Sequence, residues 1–368
     1  MNVEQNSKLL VERINKSVEF VQSLNYEKFY FKSLNDGATD AGKELTLGFM
    51  CYGLKFYFMT NLWSNINNEL KTDWVNIINS YQVEKSQFPK NSYIDPNYIK
   101  FFNSSSPSVK AKNFTKSFLT LTKIKNYESQ KEIFKRSINA ETKQAISTLY
   151  ELGYKNSKPV EPRFLGNKAI EYLDALDWSK PWASGAQFSS FCVFAETQKN
   201  ISKSDLINFS DNLVNKETGF YYRVLPNEKR ELFNGAMKII SGLDWLNYEI
   251  HYPTKIIDYC LNNKPEFEGC DFVDFIYILS KCLESTNYRK KDVINLMLEI
   301  SEDMELLYFS HTGGYSYFKN KSQTNYYNIK ISEGLDVPDL HATLLCNWAN
   351  ILILNTIGES NGFKSIKP

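Results

Sequence analysis

Three carboxylates and one imidazole stand together at the start of a strongly apolar helix late in the chain. Glu333, Asp336 and Asp339 lead into this helix, and His341 lies in its first turn. Such side chains bind and release protons during catalysis, so we predict that Asp339 and His341 are catalytic. Glu333 and Asp336 are predicted to bind substrate. The alternative is structural, with Asp339 capping the helix and His341 a satisfied core residue.

A second pair of carboxylates begins another apolar helix. Asp271 and Asp274 are three residues apart, so they share one helix face and can act as acid and base in glycan chemistry. We predict that both are catalytic, although first-turn acids also compensate a helix dipole. Tyr315 or Tyr317 with His341 offers another chemistry, in which one residue removes a proton and the other donates one, as a lyase requires.

Polar and aromatic residues also lead into the other apolar helices. Trp182, Gln187 and Asn234 occupy such positions, and with Tyr317 we predict that they bind substrate. Trp178 and Trp182 can provide flat surfaces on which a ligand stacks. Alternatively, both side chains pack against neighbouring residues in an inter-helix loop.

These residues belong to a repeated helical pattern. From residue 164 onward each half-polar helix is followed by a more apolar one. The pairs are 164–176 with 184–197, 203–215 with 234–248, 253–262 with 270–284, and 289–308 with the helix after Asp339. A helix that is apolar on every side must be covered all round, so we predict an inner and an outer layer.

Two connections, 218–222 and 312–317, place Gly before alternating aromatics, which predicts short β-hairpins between helices. Helical hairpins with apolar inner members close into an all-α fold, a complete or incomplete α/α toroid. The inner helices of such a ring share one direction, so their N-terminal ends meet around one pocket. We assign residues 109–368 to the toroid and residues 1–108 to an N-terminal helical region that packs on the ring or closes it.

The amino-acid composition limits the kinds of partner that we expect for the protein. A formal net charge of +1 over 368 residues gives no field that collects nucleic acid or an anionic membrane, so we predict neither as partner. A small molecule or an oligosaccharide in the central cavity is expected instead. The apolar run 45–63 is broken by Lys55 and indicates a buried helix, not a membrane span. Six dispersed cysteines and the lack of an apolar leader predict a cytoplasmic protein with reduced thiols.

Two short motifs resemble the zinc-binding segments of protein prenyltransferase β subunits, which share the α/α toroid with terpenoid cyclases. They are Glu268-Gly269-Cys270 and Asp339-Leu340-His341-Ala342-Thr343. The resemblance implies that Glu268, Cys270 and His341 bind zinc and leave a fourth position open for a thiol or water. The chain departs from the family pattern, because Glu268 replaces Asp and no Arg, Lys and His cluster leads the inner helices to hold a diphosphate.

Three functions therefore stand as alternatives, and we expect an enzyme. The resemblance implies a transferase-like or cyclase-like enzyme with its pocket at the inner helix starts. The paired carboxylates and the His–Tyr pair favour a glycan-processing lyase or hydrolase. A cavity that only binds a ligand or partner, without catalysis, is the third alternative.

Overall fold

The computed structural model describes residues 3–84, 88–104, 129–161 and 167–368, and these are mostly helical. The helices are α1 (Val3–Ser23), α2 (Asp40–Glu44), α3 (Leu47–Met59), α4 (Leu62–Asn65), α5 (Asn68–Ser80), α6 (Pro96–Asn103), α7 (Gln130–Glu151), α8 (Asn167–Asp174), α9 (Pro181–Gln198), α10 (Lys203–Leu213), α11 (Lys229–Trp245), α12 (Pro253–Asn262), α13 (Asp271–Ser285), α14 (Lys290–Asp303) and α15 (Leu340–Ile357). A 3₁₀ turn, Met304–Leu307, follows α14.

Six helices form a closed inner ring. Each contacts the next in the order α3, α7, α9, α11, α13, α15, and α15 returns to α3. Helices α1, α8, α10, α12 and α14 pack on the outside of ring members or on one another. The prediction of an all-α toroid is therefore confirmed. Its physical basis is the all-round apolar surface of the inner helices, for example α3, in which every residue except Phe58 is buried.

The four predicted pairs of outer and inner helices are present with shifted ends. The largest shift is in α11, which begins at Lys229 rather than near Asn234. Lys229, Arg230 and Glu231 are charged, and their low hydropathy is typical of a loop. They nevertheless form the first turn of α11, because side chains in that turn lie at the edge of the ring. α15 is long and apolar enough to cross a membrane, but most of it is buried between α13 and α3.

The N-terminal part of the chain supplies one member of the ring. Helix α3 lies between α15 and α7, and α1 packs on α15. The predicted domain boundary at residue 108 lies outside the described residues, so the division into two domains stays a prediction.

Short β-structure joins several helices. The paired strands are β1 (Asn25–Tyr26) with β2 (Tyr30–Phe31), β3 (Gln82–Val83) with β4 (Ser92–Tyr93), and β5 (Asn325–Tyr326) with β6 (Ile329–Lys330), all antiparallel. The two predicted Gly–aromatic connections instead form single bridges, which join Val214 with Tyr221, Tyr308 with Tyr315, and Tyr315 with Asp339. Tyr315 bridges a different segment on each side, so this connection is held between α14 and α15 and does not extend as a hairpin.

Residues 359–368, which we call the floor segment, cross the end of the ring where the inner helices finish. The amide of Lys364 donates to the carbonyl of Met59 at the end of α3, at 2.9 Å. The Lys367 amide donates to Glu151 at the end of α7, and its ammonium donates to the carbonyl of Asp244 near the end of α11, at 2.9 Å. The floor segment thus ties together three ring helices.

The buried carboxylate of Asp95 accepts amides at the starts of two helices. Oδ2 of Asp95 accepts the amides of Thr46 (2.8 Å) and Leu47 (3.1 Å) at the start of α3, and Oδ1 accepts the amide of Asn97 in α6, at 2.9 Å. These bonds satisfy amides that have no partner within their own helices. The start of a ring helix is thereby fixed to α6.

Beside Asp95 lies the buried carboxyl of Glu141 from α7, which gives a pH-dependent prediction. Burial, reinforced by the charge of Asp95, raises the pKa of Glu141 to about 8 from the usual 4.5. Since the folded state holds the proton more tightly, the stability that Glu141 contributes is complete below pH 4.5 and is lost as pH rises through about 8. Glu141→Gln should therefore flatten this decline, as measured by denaturant unfolding across that range.

The half-exposed Glu132, on the same helix, provides the matched control. Glu132→Gln should keep the decline of the unchanged protein. An equal decline in Glu141→Gln would show that Glu141 is not its source.

Candidate functional site: a central cavity

A cavity of about 350 Å³ lies inside the ring and receives side chains from all six inner helices. This volume is in the range of small-ligand sites. Its polar lining includes Lys55, Lys143, Lys238, Asp274, Tyr317 and His341. Two other pockets, of about 420 and 440 Å³, lie elsewhere, one beside the outer helices α8 and α10 and one at the ends of α11 and α13. The central cavity is lined by His341 and Asp274, each of which has a buried polar atom without a hydrogen-bond partner in the described part of the chain.

His341 is held between two tyrosines. Its ring stacks on Tyr52 of α3 (centroids 4.4 Å apart, planes at 6°) and on Tyr317 (5.4 Å, 23°). Nδ1 is buried and has no hydrogen-bond partner in the described part of the chain. Burial, assisted by the charge of Lys238, lowers the pKa of His341 to about 3. The imidazole is therefore neutral near pH 7.

Asp339 sets the position of this imidazole but does not line the cavity. Its Oδ1 accepts the amide of Ala342 at 2.8 Å and so caps α15. Its Oδ2 accepts the amides of Tyr317 (3.0 Å) and Gln323 (2.9 Å). Burial raises the pKa of Asp339 to about 6, opposed by these amide bonds. The predicted catalytic residue is thus a positioning residue, because backbone amides engage both of its oxygens.

Lys143 and Lys238 reach into the cavity from the side facing His341. In the order of the ring, α9 is opposite α15, and the lysines come from the helices on either side of α9. Neither forms an ion pair among the described residues, whereas Lys55 donates to Ser147 at 2.9 Å. Burial, together with the charge of Lys238, lowers the pKa of Lys143. The carboxyl of Asp274 acts on the charges of both lysines. Because neither lysine forms an ion pair with it, the two can still bind an anionic group of a ligand.

Asp274 is the one predicted carboxylate that faces the cavity. Its side chain is 1% exposed, and its Oδ2 has no hydrogen-bond partner within the described ranges. Burial raises the pKa of Asp274 to about 6, opposed by the charge of Lys238. A buried carboxyl oxygen without a partner is uncommon in a folded protein.

Five predicted site residues meet in this cavity. They are Trp182, Cys270, Asp274, Tyr317 and His341. Trp182, Cys270 and His341 lie at the starts of α9, α13 and α15, so the predicted meeting of inner helix starts is present there. We call this end of the cavity its mouth.

The remaining predicted residues make structural contacts. Asp271 accepts hydrogen bonds from Arg230 (2.9 Å) and from Asn234 (2.7 Å). Asp271 and Asn234, both predicted site residues, therefore bind each other. Gln187 accepts from Asn139 at 3.2 Å. Their polar atoms are engaged within the protein, and none of these side chains lines the cavity.

Three further residues that were predicted for the site lie away from the cavity. Tyr315 is fully buried, and its hydroxyl accepts from Asn350 at 3.2 Å. Glu333 is exposed and pairs with Lys330, and Asp336 is exposed. The loop before α15 turns these two carboxylates to solvent, so sequence proximity to His341 did not bring them into the site.

The predicted zinc ligands are not assembled as a metal site. No group of three or more His, Cys, Asp and Glu side chains able to hold a metal ion occurs in the described ranges. Glu268 faces Arg230, at 3.2 Å. These residues do not fit the metal that the resemblance implies.

The sequence predictions missed several cavity residues. Tyr52, Lys55, Lys143 and Lys238 lie in the middle of ring helices. A usable signal was present for Lys55 and Lys238, because each is the single cation in an apolar or small-residue stretch, such as GAMKIISG around Lys238. Lys143 has polar neighbours, in AETKQAIS, and gave no such signal. A lysine on the inner face of a ring helix has only the cavity to reach.

The fold is an α/α toroid with a central cavity. No protein-family description matches the chain, and no curated protein shows significant similarity to it. Among solved structures the chain is similar to a polysaccharide lyase, at a TM-score of 0.41 and 11% identity over 97% of this chain and 99% of the other. A likeness at that level carries no argument about activity, which must be inferred from the cavity itself.

Proposed function

We propose that the protein is a glycan-processing enzyme of the lyase type, acting on a glycan that carries carboxylates. One observation carries this proposal: a neutral His341 stacked on Tyr317 shares a cavity with Lys143 and Lys238, neither of which forms an ion pair among the described residues. A proton acceptor, a proton donor and an anion site are the three groups that elimination next to a carboxylate needs.

The chemistry follows from these groups. A lysine ammonium neutralises the sugar carboxylate, which makes the hydrogen on the adjacent carbon more acidic. His341 removes that proton, the electron pair forms a carbon–carbon double bond, and the neighbouring carbon–oxygen bond of the glycosidic link breaks. Burial raises the pKa of Tyr317, so its hydroxyl keeps a proton to give to the departing oxygen. His341 then returns its proton to Tyr317, and no water is consumed.

Other cavity residues suit a sugar. Trp182 and Trp348 line the cavity, and aromatic faces pack against the apolar faces of sugar rings. Asp274 also lines the cavity, and a carboxyl group there can accept a hydrogen bond from a sugar hydroxyl. These contacts would orient the sugar with its carboxylate toward the lysines.

The lysines provide the test. Lys238→Met or Lys143→Met should lower kcat/KM on an acidic glycan by about 10- to 100-fold, because each removes one charge-assisted hydrogen bond worth about 1.5–3 kcal/mol. The rate is measured from the ultraviolet absorbance of the unsaturated product on polygalacturonate, alginate and a glucuronate-containing glycan.

Lys291→Met, on the exposed face of α14, is the matched control and should leave the rate unchanged. Equal turnover of neutral and acidic glycans, or full activity in both cavity variants, would contradict an anion site at these lysines.

The transferase-like or cyclase-like function is a second proposal. Met237, Leu344, Leu345 and Ile366 also line the cavity, and an apolar wall beside two lysines suits an isoprenoid diphosphate as well as a sugar acid. Titration with farnesyl diphosphate and with digalacturonate, followed by tryptophan fluorescence, separates the two. Binding of the diphosphate alone would favour this second proposal, and binding without turnover of either ligand class would favour a non-catalytic scaffold.

A further inference from the structure

The floor segment, residues 359–368, contacts ring helices at their C-terminal ends and also reaches the cavity. Beyond its bonds to Met59, Glu151 and Asp244, its Pro368 carbonyl accepts the indole N–H of Trp245 at 3.0 Å. The Ser365 hydroxyl accepts the indole N–H of Trp348 at 3.1 Å. The segment is thus bound to α3, α7, α11 and α15.

Two side chains of this segment form the cavity surface at that end. Ile366 and Pro368 line the cavity, and Ile366 is 5% exposed. Trp348, which also lines the cavity, is 2% exposed and donates to Ser365 of the same segment. Among the described residues, the segment therefore separates the cavity from solvent at the ends of the inner helices.

His341 lies at the opposite end, near the mouth, with Trp182 and Cys270. Lys238 lies in the middle of α11, whereas His341 lies in the first turn of α15, so Lys238 is deeper in the ring than His341. The reacting groups therefore lie between the mouth and the closed end.

We infer that the floor segment restricts the enzyme to the ends of glycan chains. This inference rests on the proposed lyase function. A glycan cannot pass through a ring closed at one end, and about 350 Å³ accommodates a ligand the size of one or two sugar rings, not the interior of a polymer. The sugar acid at the reducing end of the chain enters, and its carboxylate meets the lysines. Elimination then breaks the bond that links it to the next sugar and releases a short unsaturated product.

The closure is tested without any substrate. Acrylamide quenching of tryptophan fluorescence is measured for each protein and for the same protein carrying Trp348→Phe. The difference between the two is the quenching of Trp348. A variant lacking residues 363–368 should show a severalfold increase in this component, and Ile366→Ala, which keeps the fold if the deletion does not, should show a smaller increase. Lys364→Ala, whose exposed side chain lies over Phe58, should match the unchanged protein. Quenching that stays constant in both floor variants would overturn the inference.

Chain-end selection is tested on polygalacturonate, alginate and a glucuronate-containing glycan. The intact protein should release mono- or disaccharide products while the viscosity of the polymer falls slowly, and Ile366→Ala should release longer products. A rapid fall in viscosity with the intact protein would overturn chain-end selection and leave the lyase proposal standing. Lack of turnover of all three glycans would instead overturn the lyase proposal, and chain-end selection with it.

Discussion

Replacing His341 by Phe should lower kcat/KM on an acidic glycan by at least about 100-fold, the usual effect of losing a general base. The free energy of unfolding should stay equal or rise by about 1 kcal/mol. Phe keeps a flat ring between Tyr52 and Tyr317, so the stack is retained. It also removes the buried Nδ1 that has no partner in the described part of the chain. A native residue that gives a lower free energy of unfolding than its apolar replacement is typical of a functional site.

Two measurements decide this prediction: initial rates on the acidic glycan, and denaturant unfolding of the same preparations. His311→Phe, on an exposed loop, is the matched control and should change neither. A His341→Phe protein that retains full activity would remove His341 from the mechanism. One that unfolds several kcal/mol more easily would show that the imidazole is a structural residue.

Asp339→Ala should lower the free energy of unfolding by about 3–5 kcal/mol. The carboxylate accepts three amides, from Tyr317, Gln323 and Ala342, and each buried amide left without a partner costs about 1–3 kcal/mol. One of the three bonds is the helix cap, which alone is worth about 1 kcal/mol. Activity should fall as well, because the same carboxylate holds Tyr317 in place beside His341.

Asp336→Ala provides the comparison, since this carboxylate is exposed. Its effect should stay within about 0.5 kcal/mol, as for most surface substitutions. Denaturant unfolding at neutral pH measures both variants. If Asp339→Ala unfolds within about 1 kcal/mol of the unchanged protein, the three amide bonds do not stabilise the start of α15 as the geometry indicates.

The inner helices could be predicted from sequence because their chemistry is unambiguous. A segment such as 340–357, apolar on all sides, has to be surrounded by protein, and four such segments imply a ring. The part played by α3 was not predictable in the same way. Its apolar residues show that it is buried, but whether it closes the ring depends on how many helices the ring needs, which no local pattern encodes.

Individual site residues divide along a similar line. His341 and Asp274 were predictable because each is a titratable residue within the first turn of an inner helix. Glu333 and Asp336 were not distinguishable from them, since the direction of a loop is decided by tertiary contacts. The pair of Glu268 and Cys270 shows the same limit, because Arg230 of α11 draws Glu268 away from the cavity, and no motif within residues 268–270 reveals that partner.

The contact between α3 and α15 has a consequence for biosynthesis. These two ring neighbours are separated by most of the chain, since α3 ends at Met59 and α15 begins at Leu340. As the ribosome adds residues in order, α3 emerges long before α15, the partner that it contacts. Contacts between such distant segments slow folding and leave apolar surface exposed meanwhile. We therefore expect the nascent chain to rely on chaperones until α15 has been made.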